Sequence, residues 1–475
     1  MYIDLAGVRR CRTLPWSGKH GTTAASEENP AASPLPRIAL TCGCMGTPVH
    51  MDCVYPDSGL SATGEALLTP DPASLVERLP WWPAHGLANV DHIERTGEPW
   101  DCCPRSALKR TLALLQERHG LTIKAGFELE FVLLKQLSPA AAAASPLRAE
   151  GTDFVAVEGG PYSSSSGFDE FCEVLDDMVA TLQAMGIEVV QYHKEAAPGQ
   201  FEISTGPADA LTAADRLLQS KEAVAAVARR HGYAATFVPK PFPNQAGSGS
   251  HVHMSLWRDG ESSMCSGSGA DPGPFDRRRP PQLSDEASAF FGGILSHLPA
   301  LLPFTAPSPG AAWGSYARLR PGCWAGAFVC WGWDNREAPL RATRPGGAES
   351  TNVEYKALDG TANPYVALAA LVCAGLAGLA EGCRLPPPVQ FNPDGPPPPV
   401  IGGSGGGGSD DGGAVVAPAA LPGSLGEALA AWERDAALRG AVTEGLGAPL
   451  VRAFMAVRAG ELEADPSLAH VLLRY

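Results

Sequence analysis

Four short segments of the chain alternate apolar residues with ionisable ones at a period of two. In Gly126–Val132, Phe127, Leu129 and Phe131 alternate with Glu128 and Glu130. In Ser250–Leu256, His251, His253 and Ser255 alternate with Val252, Met254 and Leu256. Asn352–Lys356 sets Glu354 and Lys356 against Val353 and Tyr355, and Gly199–Ser204 sets Glu202 against Phe201 and Ile203, with Glu195 just upstream. Successive side chains of a strand point to opposite faces, so each segment is predicted to be a strand with its ionisable groups on one side. A single strand of this kind ordinarily has a wet polar face. Four of them rich in Glu, His and Lys, with few Ser or Thr, read as the walls of a site.

The rest of the pattern divides the chain into residues 1–98 and 99–475. Before residue 98, β-like runs at Tyr2–Arg12, Arg37–Cys42 and Gly64–Thr69 are separated by Gly, Ser and Pro, as in a small sheet domain. From Pro104 to Gly120 the period becomes helical, with Leu108, Leu112 and Leu115 on one stripe. Residues 139–149 and 258–281 read as surface loops. Residues 386–422 hold Pro-Pro-Pro-Pro and Gly-Gly-Ser-Gly-Gly-Gly-Gly-Ser, a composition that cannot bury enough apolar surface to order itself. Helices resume from Ser424. The run Tyr365–Ala380, nearly all Ala, Leu, Val and Gly, is shorter than a membrane span and reads as a buried core helix.

Composition narrows the function. The chain has 475 residues, 45% of them hydrophobic, with a net charge of −15. That acidity argues against a phosphate-backbone binder, so no nucleic-acid partner is expected. There is no signal-peptide pattern after Met1, and the twelve cysteines lack framework spacing, so reduced thiols in the cytoplasm are expected. No membrane partner is expected either. Were the four polar faces to converge, their carboxylates would repel one another unless cations intervened. Oxygen ligands with imidazole suit Mg²⁺ or Mn²⁺, and a pair of such ions is a common way to neutralise a transferring phosphoryl group.

At this point a family resemblance becomes specific. Gly-Phe-Glu-x-Glu-Phe at Gly126, His-x-Glu-x-Ala-Pro-Gly-Gln-x-Glu at His193, Lys-Pro-x-Pro at Lys240, Gly-Ser-Gly-x-His-x-His-Met-Ser-Leu at Gly247, Ser-Tyr-x-Arg-Leu-x-Pro-Gly at Ser315, Asn-Arg-x-Ala-x-x-Arg at Asn335 and Ala-Asn-Pro-Tyr at Ala362 occur in the order of the glutamine synthetase motifs. The resemblance covers residue 102 to the end, and residues 1–98 resemble that family's small β-grasp domain. It implies an α+β fold: a β-grasp domain, then a large catalytic domain with a curved antiparallel sheet flanked by helices. Here Met1 directly precedes a strand where a β-grasp domain would have an earlier element, so the small domain reads as shortened or degenerate.

The resemblance also implies roles. One metal falls to Glu130, Glu195 and Glu202, the other to Glu128, His251 and Glu354. His253, Ser255, Arg336 and Arg341 match nucleotide-contacting positions. Gly247, Arg318, Arg336 and Lys356 match positions that bind substrate carboxylates or the transferring phosphate, and Tyr162 matches an ammonium-pocket tyrosine. Arg318, Arg336 and Glu195 are the expected catalytic residues. The implied reaction uses ATP and two Mg²⁺ or Mn²⁺ to join glutamate and ammonia through γ-glutamyl phosphate, in a homo-oligomer of stacked rings.

Several positions depart from the family. Pro321-Gly-Cys-Trp-Ala-Gly326 puts Trp324 where the family has a glutamate that attracts ammonium and takes its proton. An indole accepts no proton, but its π face can hold a larger cationic amine or it can pack as an apolar lid. No counterpart to the family's ammonium-site aspartate is evident near Cys42–Thr47, and Lys356 stands for an arginine. These features resemble the FluG-type and nodulin-type branch. Two further readings follow: a γ-glutamyl ligase for a polyamine or aromatic amine, and a catalytically idle scaffold or regulatory protein. Six retained metal-type residues weigh against the idle protein.

Overall fold

A computed structural model describes residues 1–15, 35–266, 281–395 and 417–475. Its organising element is the strand Thr122–Gln136, in which Phe127, Leu129 and Phe131 are buried on the apolar face. Around it lies an eleven-stranded sheet, seven of whose strands run in the order Trp331–Trp333, Leu340–Thr343, Asn352–Tyr355, Val252–Arg258, Thr122–Gln136, Gln200–Thr205, Val189–Lys194, while four short strands pair off this path. The pairings are antiparallel except that of Trp331–Trp333 with Leu340–Thr343, which is parallel. The fold is α+β, with this large sheet flanked by helices and a small N-terminal sheet. All four alternating segments are therefore neighbours in one sheet.

Local chemistry explains the helices. Pro104–His119 begins with Pro at its first turn and ends at Gly120 in the left-handed conformation. Leu108 and Leu115 of its stripe are buried, while Leu112 is only partly so. Pro364–Glu381 is capped by Asn363, whose carboxamide accepts from Tyr365 N (3.1 Å) and Val366 N (3.2 Å). It crosses Asp285–Ser296 where Gly378 meets Gly293: a Cβ on Gly378 would lie 2.6 Å from Gly293 Cα. Of its apolar window, 78% is buried, as expected of a core helix.

Four expectations need correction. Residues 139–149 include a short helix, Pro139–Ala144, because the Ser138 side chain caps it and an alanine run follows proline. The segment 386–422 is not free at its ends. Val389 N donates to Trp331 O (2.8 Å), and Leu421 N donates to Ala327 O (2.8 Å). Asn335 Nδ2 donates to Val389 O at 2.8 Å and Phe391 O at 3.1 Å. Residues 396–416 lie outside the described residues, as do 267–280 of the predicted 258–281 loop; before them Glu261–Ser262 forms a strand paired with Val252–Arg258. The run Tyr2–Arg12 is two short strands, Tyr2–Ile3 and Arg9–Arg10, and the Met1 ammonium donates to Ala88 O (2.6 Å). All twelve cysteines are free.

The small N-terminal sheet pairs Ile38–Thr41, Glu65–Pro70 and Val90–Ile93. His92 is buried in it between Tyr2 (5.5 Å) and Trp100 (5.8 Å), and neither ring nitrogen has a partner among the described residues. Burial lowers its pKa to about 4, below the ordinary 6.5. The folded state therefore binds fewer protons than the unfolded chain between these values, so His92 costs stability as pH falls from 6.5 to 4. Relative to wild type, His92→Phe should gain up to about 3 kcal/mol at pH 4 and little at pH 7.5. Urea unfolding at the two pH values checks this; parallel curves would refute it.

Candidate active site

The sheet order brings the predicted ligands together from neighbouring strands. Glu130 on Thr122–Gln136 lies directly opposite Glu202 on Gln200–Thr205. His253 on Val252–Arg258 lies opposite Glu354 on Asn352–Tyr355. His251, one residue before its strand, has Nδ1 3.0 Å from Glu128 Oε2 and 3.1 Å from Glu354 Oε1, and its Nε2 is 3.6 Å from Glu130 Oε1. His253 Nε2 is 3.0 Å from Glu128 Oε1. At the far end, His193 Nε2 is 2.9 Å from Glu195 Oε1. Glu128, Glu130, Glu195, Glu202, His251 and Glu354 thus form one continuous polar wall.

Ligand atoms gather in two groups, each within 4.8 Å: Glu128 with His253 and Glu354, and His193 with Glu195 and Glu202. This differs in part from the sequence expectation. His253 takes the place in the first group that was expected of His251, and His193 takes the place in the second that was expected of Glu130. Glu130 stands between them, its Oε2 accepting from Gln200 Nε2 at 2.8 Å.

The electrostatics fit a cation site. Burial, then the charges of Glu128 and Glu130, push the Glu202 carboxyl up to about 8. Burial also raises Glu130. For Glu128 burial acts the same way, but hydrogen bonds from His251 and His253 overcome it and hold the acid well below the usual range. Burial and Lys356 oppose a charge on His251, yet Glu128 and Glu354 raise it to about 9. Crowded carboxylates that borrow protons and an imidazolium to coexist are a set that divalent ions would relieve.

The remaining predicted residues fall in four places. Lys356 Nζ donates to Glu354 Oε1 (2.9 Å), and Arg341 lies opposite Glu354 and meets its other oxygen at 2.8 Å. Arg318 is buried behind them and donates to Lys356 O (3.0 Å) and Leu358 O (3.1 Å). Gly247 packs on Arg318 so closely that a Cβ would come within 2.5 Å of its Cγ. Arg336 is exposed. Ser255 is outside the cluster: its hydroxyl accepts from the Trp257 indole at 2.8 Å. Tyr162 and Trp324 stand at the mouth, 43% and 52% exposed. Their rings meet edge to face at 6.2 Å, and Tyr162 meets His193 likewise at 5.9 Å.

Sequence reasoning missed His193, Gln200 and Asn352. Gln200 donates to Glu130, to Gly247 O (3.0 Å) and to Ser248 Oγ (3.2 Å). Asn352 Oδ1 is 2.7 Å from His253 Nδ1. The signal existed for two of them: Gln200 shares the period-two face of Glu202, and His193 that of Glu195.

Comparison with known proteins gives the site a context. The profile of the family described as "Glutamine synthetase, catalytic domain" matches residues 101–470. A gamma-glutamylpolyamine synthetase of Streptomyces coelicolor is 35% identical over 474 residues, covering 97% of this chain and 88% of that protein. Protein fluG of Emericella nidulans is 31% identical over 85% of this chain, which spans 41% of that longer protein. Among solved structures, a "novel glutamine synthase homolog" superimposes with a TM-score of 0.74 at 28% identity, covering 100% of this chain and 95% of that one.

Proposed function

Because this chain belongs to the glutamine synthetase family, we propose that it uses ATP to join the γ-carboxyl of glutamate to an amine larger than ammonia. The observation that carries the proposal is the aromatic mouth. Trp324 stands where the family resemblance calls for a carboxylate, and it faces Tyr162, which in turn faces His193 of the acidic wall. Two exposed rings offer π faces to an alkylammonium group and cover its methylene chain, which ammonia lacks. Similarity to a gamma-glutamylpolyamine synthetase over nearly the whole chain supports a polyamine over an aromatic amine.

The wall has residues to do the rest. Glu128, His253 and Glu354, with His193, Glu195 and Glu202, would hold two divalent cations, and His251 and Glu130 lie between the groups. Held there, such ions would supply positive charge to offset that of a transferring phosphoryl group. Arg341 and Lys356 add fixed charge on the Glu354 side, and the exposed Arg336 can close on phosphate oxygens. Burial of Glu130, Glu202 and Glu354 keeps water away from an acyl phosphate, which hydrolysis would otherwise waste.

Phosphate release from ATP, with Mg²⁺ and glutamate, across ammonia, hydroxylamine and a panel of amines tests the proposal. The highest kcat/KM is expected for an α,ω-diamine or longer polyamine. Trp324→Ala should lower that value about tenfold and change hydroxylamine turnover less than about twofold. Ammonia as the best acceptor would restore a plain glutamine synthetase reading. ATP binding without turnover of any amine would favour the idle scaffold.

A further inference from the structure

We infer that a buried ion pair, Glu158 with Lys194, is a positioning device that locks the aromatic mouth to the acidic wall. This rests on the amine-ligase reading and extends it to two residues that touch neither substrate nor cation. Lys194 ends the strand Val189–Lys194, and its side chain is 0% exposed, an unusual state for lysine. Its ammonium meets Glu158 Oε1 at 3.1 Å and donates to Ala197 O at 2.9 Å and to Glu195 O. The turn carrying Glu195 is thus wrapped around one cation.

Glu158 completes the lock from the other side. Its Oε1 also accepts from Gly199 N (2.9 Å), and its Oε2 accepts from Gly160 N (2.5 Å). Gly160 opens the loop that holds Tyr162, and Ser163 N donates back to Lys194 O at 3.2 Å. Ser163 sits at φ 53°, a left-handed conformation that a non-glycine residue adopts only when its surroundings hold it. Gly199 at φ +63° is held as closely: a Cβ there would lie 2.6 Å from Leu133 O. One carboxylate therefore joins three segments: the Tyr162 loop, the Glu195 turn, and the start of the strand that carries Glu202.

A buried pair of this kind contributes little net stability, because desolvation offsets its attraction. Its geometry has a different use. Glutamyl transfer requires the amine nitrogen to approach within a few tenths of an ångström of the right line to the acyl phosphate, and misplacement by about 1 Å costs about 10²-fold in rate. Fixing Tyr162 to the Glu195 turn fixes where the amine sits relative to the phosphoryl group.

The two residues should fail differently. Glu158→Gln keeps the shape but releases the Tyr162 loop, while Lys194 still holds Ala197 and Glu195. It should raise KM for an α,ω-diamine about tenfold and leave hydroxylamine turnover within about threefold. Lys194→Met loosens the Glu195 turn itself and should weaken Mn²⁺ binding about tenfold, read by loss of the free-ion EPR signal. Equal losses for both acceptors in Glu158→Gln, or unchanged Mn²⁺ affinity in a folded Lys194→Met, would overturn the inference. The wild-type amine panel separates the two claims. If wild type uses only ammonia, the larger-amine reading fails, and the Mn²⁺ titration of Lys194→Met decides the positioning role alone.

Discussion

Replacing Glu130 by alanine is expected to lower kcat/KM by about 10³-fold or more while the chain stays folded. Glu130 stands between the two ligand groups, opposite Glu202 and 3.6 Å from His251 Nε2. Its loss removes negative charge at the point both groups share. The effect on folding has the opposite sign to the effect on activity. Glu130 is 6% exposed, and burial raises its pKa, so without cations it strains the site rather than supporting it. The Gln200 carboxamide that donates to it keeps two other acceptors in Gly247 O and Ser248 Oγ. The melting temperature of Glu130→Ala without divalent ions should therefore hold or rise, and the increase on adding Mn²⁺ should shrink. An unfolded variant would mean that the carboxylate is structural. Undiminished turnover would remove Glu130 from the site.

What was legible in the sequence follows from how each residue is buried. Phe127, Leu129 and Phe131 announce a strand because one face meets the core while the other carries ligands, and a period of two survives only when the faces differ. The same logic exposed His251, His253, Glu202 and Glu354. Lys194 was invisible to it. In Tyr192-His-Lys-Glu195 a lysine reads as solvated, and nothing local reveals that Glu158, far along the chain, is buried beside it. The ends of the Pro/Gly-rich segment were missed for a related reason. They dock largely through backbone groups, such as Val389 O and Leu421 N, which leave no mark on side-chain composition. Which ligand atoms gather around Glu202 is a matter of register, which the alternating pattern does not carry. Pairing Glu130 with Glu202 leaves His193, opposite Glu202 on its other side, nearest Glu195.

Replacing Arg105 by methionine should destabilise the protein by about 3–5 kcal/mol, roughly a thousandfold in the folding constant. The guanidinium is 3% exposed and meets three aspartates: Asp215 at 2.7 Å, Asp71 at 2.8 Å and Asp91 at 3.1 Å. Asp71 and Asp91 belong to the N-terminal sheet region, and Asp215 to the helix Ala210–Arg230, which packs on the long central strand. One cation therefore fastens the small sheet to the body that carries the acidic wall. Methionine fills the volume but leaves Asp215 buried beside the Tyr365 hydroxyl, with no cation of its own. Lys109 retains Asp91 at 2.6 Å, which bounds the loss. The uncompensated charge, not the lost attraction, is the larger part of the cost, so Arg105→Met with Asp215→Asn should recover a substantial share of it. Urea unfolding of the single and double variants measures both. A loss below about 1 kcal/mol for Arg105→Met, or no recovery in the double variant, would show that the cluster is solvated and that other contacts hold the small sheet in place.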